Sequence, residues 1–275
     1  MSNYRFLVYG PAGGGKTTFG VTSFFDPFTR TPREGRKGRL VLFGNEGNEA
    51  LGLPPEMVKR FPYDYKNPLG FVEDFEDYLK ILYGLALKGE GLTDLVLDSI
   101  SELGSAYLDA YEVEHEALCA KEKWASWRAW RKKYPQIERY LTTDVLHANV
   151  VWTAHTREVK ETAVSSSGKE LKGDSDWLQD MHINNIPSIE GKAKEDAPHG
   201  FDFVVYFKPD SARQQTDKGV EQMPVHRSYW LPTKDFLVKN KFEHLWKKKH
   251  PTVLENVTFP QVEGMLAELE KEVSK

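Results

Sequence analysis

A glycine-rich stretch near the amino terminus combines residue types that bind phosphate. It follows the pattern Gly-x4-Gly-Lys-Thr from Gly10 to Thr17, directly after an apolar run at residues 6–9 that predicts a β-strand. Between a strand and a helix, this pattern is typical of a phosphate-binding loop. Glycine permits tight turns that point successive backbone N–H groups inward, and the following helix adds the positive end of its dipole. The sequence therefore predicts a nucleoside triphosphate site.

Two residues of this loop have expected chemical roles. Lys16 is expected to reach the β- and γ-phosphates of ATP, and the Thr17 hydroxyl is expected to bind Mg²⁺. The alternative is a glycine-rich turn without a ligand, which would not need the entropic cost of so many glycines. The predicted nucleotide-binding residues are Gly10, Pro11, Ala12, Gly13, Gly14, Gly15, Lys16, Thr17 and Thr18.

A second magnesium ligand is expected at the end of a later strand. The run LVLDS ends an apolar stretch with Asp98. An aspartate at a strand end, taken alone, more often caps a helix or lies in a turn. Downstream of a phosphate loop, however, a carboxylate at this position holds Mg²⁺ opposite the threonine hydroxyl. We therefore predict Thr17 and Asp98 as the metal ligands.

Hydrolysis of ATP also needs a base that orients water on the γ-phosphate. Glu46 and Glu49 follow the apolar run at residues 39–44, so either could stand at the carboxyl end of a neighbouring strand. The alternative for each glutamate is that it caps or opens the next helix. We predict Glu46 as the base.

A sheet must position these residues. Strands are predicted at residues 6–9, 39–44, 93–98, 149–155, 200–207, 226–232 and 235–242. The early apolar runs are typical of a parallel sheet, and helical spacing at residues 71–82 and after Pro260 predicts helices that flank it. Residues 101–146 are helical in character and too long for a simple crossover, which predicts an α/β fold with a helical insertion at about 104–146.

Composition narrows the class of protein. The chain has 275 residues, a formal charge of -4 and one cysteine, Cys119. This length suits one large α/β domain, which we place at residues 1–250 with a C-terminal helix at 251–275. No apolar run approaches the roughly 18 residues of a membrane span, and we expect a cytoplasmic protein without disulfides or a signal peptide. The mild acidity restricts any nucleic-acid contact to local surfaces.

The order of these motifs resembles the RecA-like recombinase core, and in particular the compact phage ATPases of the Sak-type annealing group. In that family a glutamate ends the second strand, as Glu46 does in FGNEGNEAL, and a serine follows the magnesium aspartate, as in LVLDS. The γ-phosphate sensor that ends the fourth strand, usually glutamine, corresponds to His155 in VVWTAHTRE. Histidine keeps a hydrogen-bond donor and adds a titratable group. The alternative is that His155 is an ordinary histidine at a strand end, with its hydrogen bonds made within the protein.

The resemblance has further implications for assembly. Lys239 and Lys241 in VKNKF resemble a Lys-x-Lys segment whose lysines reach the γ-phosphate of the neighbouring subunit. The resemblance thus implies a homo-oligomer, ring or filament, with both lysines acting in trans. The alternative is two exposed lysines on a strand edge that discourage aggregation.

Two segments are candidates for binding single-stranded DNA. In the recombinase core, the loop after the sensor strand contacts DNA. The corresponding loop here is at about 156–185 and contains Arg157, Lys169, Lys172 and Trp177. A disordered loop without a ligand is the alternative. The second segment is a predicted helix on which an aromatic stripe, Trp124, Trp127, Trp130 and Tyr134, lies beside the basic residues Lys121, Arg128 and Lys132. Such a stripe stacks bases or, alternatively, forms core or a subunit interface.

The leading functional hypothesis is a Mg²⁺-dependent ATPase that binds single-stranded DNA in phage-type recombination or strand annealing, inside an infected bacterial cell. One alternative is a phosphate-loop kinase for a small acceptor. The other is an assembly module that ATP switches without a DNA substrate. Stimulation of ATP turnover by single-stranded DNA separates the three.

Overall fold

The computed structural model describes residues 2–44, 51–63, 68–141, 146–159, 163–164, 170–171, 185–189, 197–216 and 219–274. Its α-helices are α1 (Lys16–Val21), α2 (Pro68–Leu87), α3 (Ile100–Glu114), α4 (Glu116–Lys121), α5 (Ala125–Tyr140), α6 (Glu243–Lys249) and α7 (Phe259–Val273). Its strands are β1 (Arg5–Tyr9), β2 (Phe25–Asp26), β3 (Thr31–Pro32), β4 (Gly38–Phe43), β5 (Val58–Phe61), β6 (Asp94–Asp98), β7 (Asn149–Ala154), β8 (Thr156–Glu158), β9 (Ala163–Val164), β10 (Glu170–Leu171), β11 (Asn185–Pro187), β12 (Phe203–Thr216), β13 (Gly219–Tyr229), β14 (Lys239–Asn240) and β15 (Val253–Glu255).

A large mixed sheet forms the centre of the molecule. Its strand order is β15-β13-β12-β1-β7-β6-β4-β5, and β14 pairs separately with β12. The six strands from β12 to β5 run parallel, whereas β13, β14 and β15 are antiparallel to their neighbours. The prediction of an α/β fold with a mainly parallel sheet flanked by helices is confirmed.

Alternate residues of the strands supply two separate cores. On β1, Leu7 and Tyr9 belong to one buried cluster, together with residues of α2, α3 and α5. Phe6 and Val8 belong to the other, together with residues of α1 and α7. Successive side chains of a strand point to opposite faces, so a strand apolar at every position is buried on both sides. Helices therefore cover both faces of the sheet.

The predicted helical insertion corresponds to α3, α4 and α5. Together they form the connection between β6 and β7, which are adjacent parallel strands. Within α5, Trp130 and Tyr134 are buried in the same cluster as Leu7. This connection is therefore part of the core on one face of the sheet.

The C-terminal helix packs on the opposite face. Phe259, Val262, Leu266 and Leu269 of α7 are buried beside Phe6. Val273 lies at the end of this helix and is exposed. Among the described residues, no helix combines the length and apolarity that crossing a membrane would require.

The sheet differs from the prediction at two places. β5 lies at its edge, in a segment for which no strand was predicted. The residues between the predicted strands at 200–207 and 226–232 are themselves largely paired, from Tyr206 with Tyr229 to Thr216 with Gly219. β12 and β13 thus form one long hairpin. Because β1 pairs with β12 only at residues 203–206, the hairpin extends beyond β1, on the side of the phosphate loop.

Candidate functional site

The phosphate loop connects β1 to α1 at the carboxyl edge of the sheet. Its first residue, Gly10, has a φ of 150°, and a Cβ atom there would lie 1.8 Å from the carbonyl oxygen of Phe207. Gly15, the N-cap of α1, has a φ of 87°, a left-handed backbone conformation that residues other than glycine rarely adopt. Both positions therefore require glycine: Gly10 because its backbone packs against that of Phe207 on β12, and Gly15 because of its left-handed conformation.

Lys16 lies inside this loop and is largely buried. Its Nζ atom donates hydrogen bonds to the carbonyl oxygens of Gly10 at 3.0 Å and Pro11 at 2.8 Å. Burial lowers the pKa of Lys16, while the nearby carboxylates of Asp98 and Glu102 act in the opposite direction. The side chain is thus a cation within the loop, where the phosphates of a nucleotide are expected.

The predicted metal ligands are brought together. The Thr17 hydroxyl donates to Asp98 Oδ2 at 2.7 Å, and the Thr153 hydroxyl donates to the other carboxylate oxygen. Strand register explains the meeting, because Leu97 of β6 pairs with Trp152 of β7, so both strands end at the same edge. A hydroxyl and a carboxylate are oxygen ligands of the kind that Mg²⁺ prefers.

His155 follows β7 and lies at the same edge. Its Nε2 atom is 2.6 Å from Glu102 Oε1, and its backbone N–H donates to Ser101 Oγ at 3.0 Å. The hydrogen bond to Glu102 raises the pKa of His155, in opposition to the effect of partial burial and of Lys16. Two residues on the first turn of α3 therefore hold His155.

These side chains line one open cleft. Its lining residues are Ala12, Gly13, Lys16, Thr17, Leu42, Phe43, Asp98, Ser99, Glu102 and His155. Glu46, the predicted base, and Glu49 lie outside the described residues, although Phe43 at the end of β4 reaches the cleft. Glu102 was not predicted. The available signal was its position one helical turn after Asp98, where α3 begins with Ser99 as N-cap.

The donor set of the cleft fits a magnesium nucleotide. Beside the glycine backbone of the loop, the cleft offers a buried ammonium group and two oxygen ligands. Within the part of the chain that the structure describes, no group of three or more His, Cys, Asp or Glu residues could hold a metal. Two protein oxygens agree with Mg²⁺, which is commonly bound by a few side chains together with substrate phosphates.

Comparison with protein families agrees with this geometry. A family model described as AAA domain matches residues 2–234, which is most of the chain. The chain belongs to this AAA domain family. Membership supports a phosphate-loop ATPase and nucleotide-dependent activity. A comparison with curated proteins found no match.

The two lysines predicted to act in trans lie at the opposite edge of the sheet, beyond the residues that the family model matches. Lys239 pairs with Val204 near the beginning of β12, and its Nζ atom donates to the carbonyl oxygens of His199 and Phe201. Lys241 forms an ion pair with Asp202 at 3.0 Å. Within one chain, neither lysine meets the phosphate loop, and their role across a subunit boundary stays a prediction.

The aromatic stripe of α5 is divided between core and surface. Trp130 is 0 % exposed and Tyr134 is also buried, whereas Trp127 packs partly against the core. Trp124, just before the helix, is 70 % exposed. The alternative in which the stripe forms core thus holds for Trp130 and Tyr134.

The basic candidates beside this stripe are at the surface. Arg128 is exposed and forms an ion pair with Glu122, and Lys132 is exposed one turn further along α5. In the second candidate segment, Arg157 lies on β8, and its guanidinium donates to the carbonyl oxygen of Glu158. Lys169, Lys172 and Trp177 lie outside the described residues.

Proposed function

We propose that this AAA domain is a Mg²⁺-dependent ATPase that binds single-stranded DNA in phage-type homologous recombination or strand annealing. We further propose that it acts as a homo-oligomer, in which Lys239 and Lys241 face the nucleotide of a neighbouring subunit. The observation behind the ATPase proposal is the meeting of Thr17 and Asp98 beside the phosphate loop, with 2.7 Å between their oxygen atoms.

The cleft suggests how each side chain acts on ATP. Backbone N–H groups of the loop and the start of α1 bind the phosphates, and Lys16 adds a mobile positive charge to the β- and γ-phosphates. Thr17 and Asp98 would hold Mg²⁺, which neutralises phosphate charge when bound. His155 lines the same cleft as Lys16, and we propose that it contacts the γ-phosphate. A base following β4, for which we propose Glu46, would orient the attacking water.

The DNA part of the proposal depends on the surface of α5. Arg128 and Lys132 are exposed there, and Trp124 offers an exposed indole near the start of the same helix. Cationic side chains that pair with phosphates, combined with aromatic rings that stack on bases, are characteristic of surfaces that bind single strands. With a net charge of -4, the chain would depend on such a local surface.

The deciding experiment measures the ATPase rate against single-stranded DNA concentration at two salt concentrations. We expect stimulation, a smaller effect of duplex DNA because its bases are not splayed, and binding that weakens steeply with salt. The double variant Arg128→Ala/Lys132→Ala should reduce the salt slope by about 0.7 for each phosphate that is no longer neutralised. The matched control Lys247→Ala/Lys248→Ala removes two exposed lysines of α6 and should behave like wild type.

The other outcomes distinguish the alternatives. ATP binding with neither DNA binding nor stimulation at low salt would overturn the DNA part and favour an assembly module switched by ATP. Transfer of phosphate to a small acceptor would favour a kinase. Absence of Mg²⁺-dependent ATP binding would overturn the ATPase proposal itself.

A further inference from the structure

Glu102 occupies a central position in the cleft, although nothing in the proposed function uses it. Its side chain lies between the ends of two strands: its Oε1 atom is 2.6 Å from His155 after β7, and its Cγ atom would be 3.9 Å from a Cβ built on Gly44 after β4. The beginning of α3 fixes its backbone, because Ser99 Oγ accepts a hydrogen bond from the Glu102 N–H. Glu102 is therefore placed by the helix N-cap.

The same helical turn also holds the backbone of His155. Ser101 Oγ accepts a hydrogen bond from the His155 N–H and donates one to the carbonyl oxygen of Ser188. Ser101 is buried, so this contact is shielded from water. With Glu102 on the ring and Ser101 on the backbone, His155 is held at two points by α3, and the ring orientation is set by Glu102.

Three charged groups surround the imidazole. Glu102 of α3 and Asp98 of β6 favour the protonated ring, while Lys16 of α1 opposes it. The largest effect is the hydrogen bond to Glu102, which raises the pKa of His155. The imidazole and the carboxylate are 48 % and 40 % exposed, so both remain open to the cleft.

The protonation state decides what the second ring nitrogen offers. When Nε2–H donates to the carboxylate, Nδ1 of the neutral ring is an acceptor and would face phosphate oxygens unfavourably. In the imidazolium, Nδ1–H becomes a donor with positive charge, and such charge-assisted bonds to phosphate are strong. Only the protonated ring therefore carries a donor on each nitrogen, one for Glu102 and one for a phosphate, and Glu102 favours that form.

We propose that Glu102 is a positioning residue that holds His155 as an imidazolium directed at the γ-phosphate, so that the site distinguishes ATP from ADP. This inference rests on the proposed ATP site. ADP lacks the phosphate that this imidazolium contacts, so the contact contributes to the affinity for ATP and not to that for ADP. Glu102 itself touches neither the nucleotide nor the reacting atoms.

The test is the ratio of dissociation constants for ADP and a non-hydrolysable ATP analogue, both with Mg²⁺, from mildly acidic to alkaline pH. In wild type we expect the preference for the analogue to be full below the pKa of His155. It should fall by about tenfold as pH rises through that pKa, the scale of one hydrogen bond to a charged group. Glu102→Gln should lower the pKa of His155, so the same fall in preference for the analogue should occur at lower pH.

Two further variants separate positioning from a general structural effect. His155→Gln places an amide donor that does not titrate, so the preference should persist at alkaline pH, and adding Glu102→Gln to it should not change the pH profile. The matched control is Glu114→Gln on the same helix, because Glu114 also pairs with a histidine, His115, at 3.2 Å but outside the cleft. In this control the preference for the analogue over ADP should depend on pH as it does in wild type.

An independent measurement follows the imidazole directly. The proton resonances of His155, assigned by comparison with His155→Gln, should titrate at lower pH in Glu102→Gln than in wild type, without nucleotide. Identical pH profiles of wild type and Glu102→Gln, or an equal effect of Glu102→Gln with and without His155, would overturn the inference. Failure of wild type to bind either nucleotide would instead overturn the proposed ATP site.

Discussion

The Thr17 hydroxyl and the Asp98 carboxylate are 2.7 Å apart, although 81 positions separate them in the chain. The second oxygen of Asp98 accepts a hydrogen bond from Thr153 on β7. Three segments, namely the phosphate loop, β6 and β7, therefore converge on one carboxylate. This relationship brings the two predicted magnesium ligands together beside the phosphate loop.

Asp98→Asn should weaken the Mg²⁺-dependent part of ATP binding by about tenfold or more, on the scale seen when groups that support a metal site are altered. The amide keeps the size of the side chain but loses the charge that holds the cation. Calorimetric titration with Mg²⁺ and with a chelator measures this difference. The control is Asp77→Asn, an exposed aspartate of α2. Equal affinities of Asp98→Asn and wild type for the magnesium nucleotide would remove Asp98 from the metal site.

Lys16→Ala should abolish ATP binding, because the loop would lose the cation that reaches the β- and γ-phosphates. Titration with a fluorescent nucleotide measures the affinity, and circular dichroism reports whether the fold persists. Lys80→Ala, which changes an exposed lysine of α2, is the control and should bind normally. Unchanged affinity of a folded Lys16→Ala protein would contradict the phosphate-loop interpretation.

Glu46→Gln should retain ATP binding but slow hydrolysis by roughly 10² or more, because a general base contributes on this scale. Glu49→Gln is the matched control, since it makes the same change three positions later in the chain. Single-turnover hydrolysis with bound ATP separates the chemical step from binding. Normal hydrolysis by Glu46→Gln together with slow hydrolysis by Glu49→Gln would assign the base to Glu49.

Replacing Trp130 or Trp124 by alanine should change the free energy of unfolding by different amounts. Trp130→Ala should lower the free energy of unfolding by about 3–5 kcal/mol, because the indole is buried against Tyr107 and Tyr134. Trp124→Ala should change it by less than about 0.5 kcal/mol, because that indole is largely exposed. Denaturant titration of both variants tests the difference. A similar loss of stability in the two would contradict the division of the stripe into core and surface.

Fluorescence anisotropy with single-stranded DNA tests the surface part of the same stripe. Trp124→Ala should weaken DNA binding by about tenfold, the scale of an aromatic ring stacking on one base. Wild-type affinity in this variant would place DNA binding elsewhere on the chain.

The central strands were predictable because their signals are local. β1, β4, β6 and β7 each contain an uninterrupted run of buried apolar residues, as is typical of strands covered on both faces. β5 was missed because Val58–Phe61 is short and only Phe61 is fully buried, so its place beside β4 depends on pairing rather than on its own pattern. The hairpin of β12 and β13 was underestimated for a similar reason, since its polar residues pair chiefly with one another.

The aromatic stripe of α5 shows a different limit of prediction from sequence. Helical spacing correctly places Trp127, Trp130 and Tyr134 near one another on α5. It does not tell which end of the stripe meets the sheet, because that depends on how α5 docks against α2, α3 and β7. In the fold, Trp130 and Tyr134 meet the core and Trp124 precedes the helix at the surface.

The sequence alone determined the phosphate loop and the strand before it. The glycines, the lysine and the threonine of the loop are close together in the sequence, and their chemistry needs no distant partner. Only the tertiary structure decided the pairing of Glu102 with His155, since it joins a helix turn to a strand end 53 positions later. It also placed Lys239 and Lys241 at the edge opposite the loop of their own chain. Strand order and register decide which distant residues share one edge of a sheet, and these depend on packing of the whole chain.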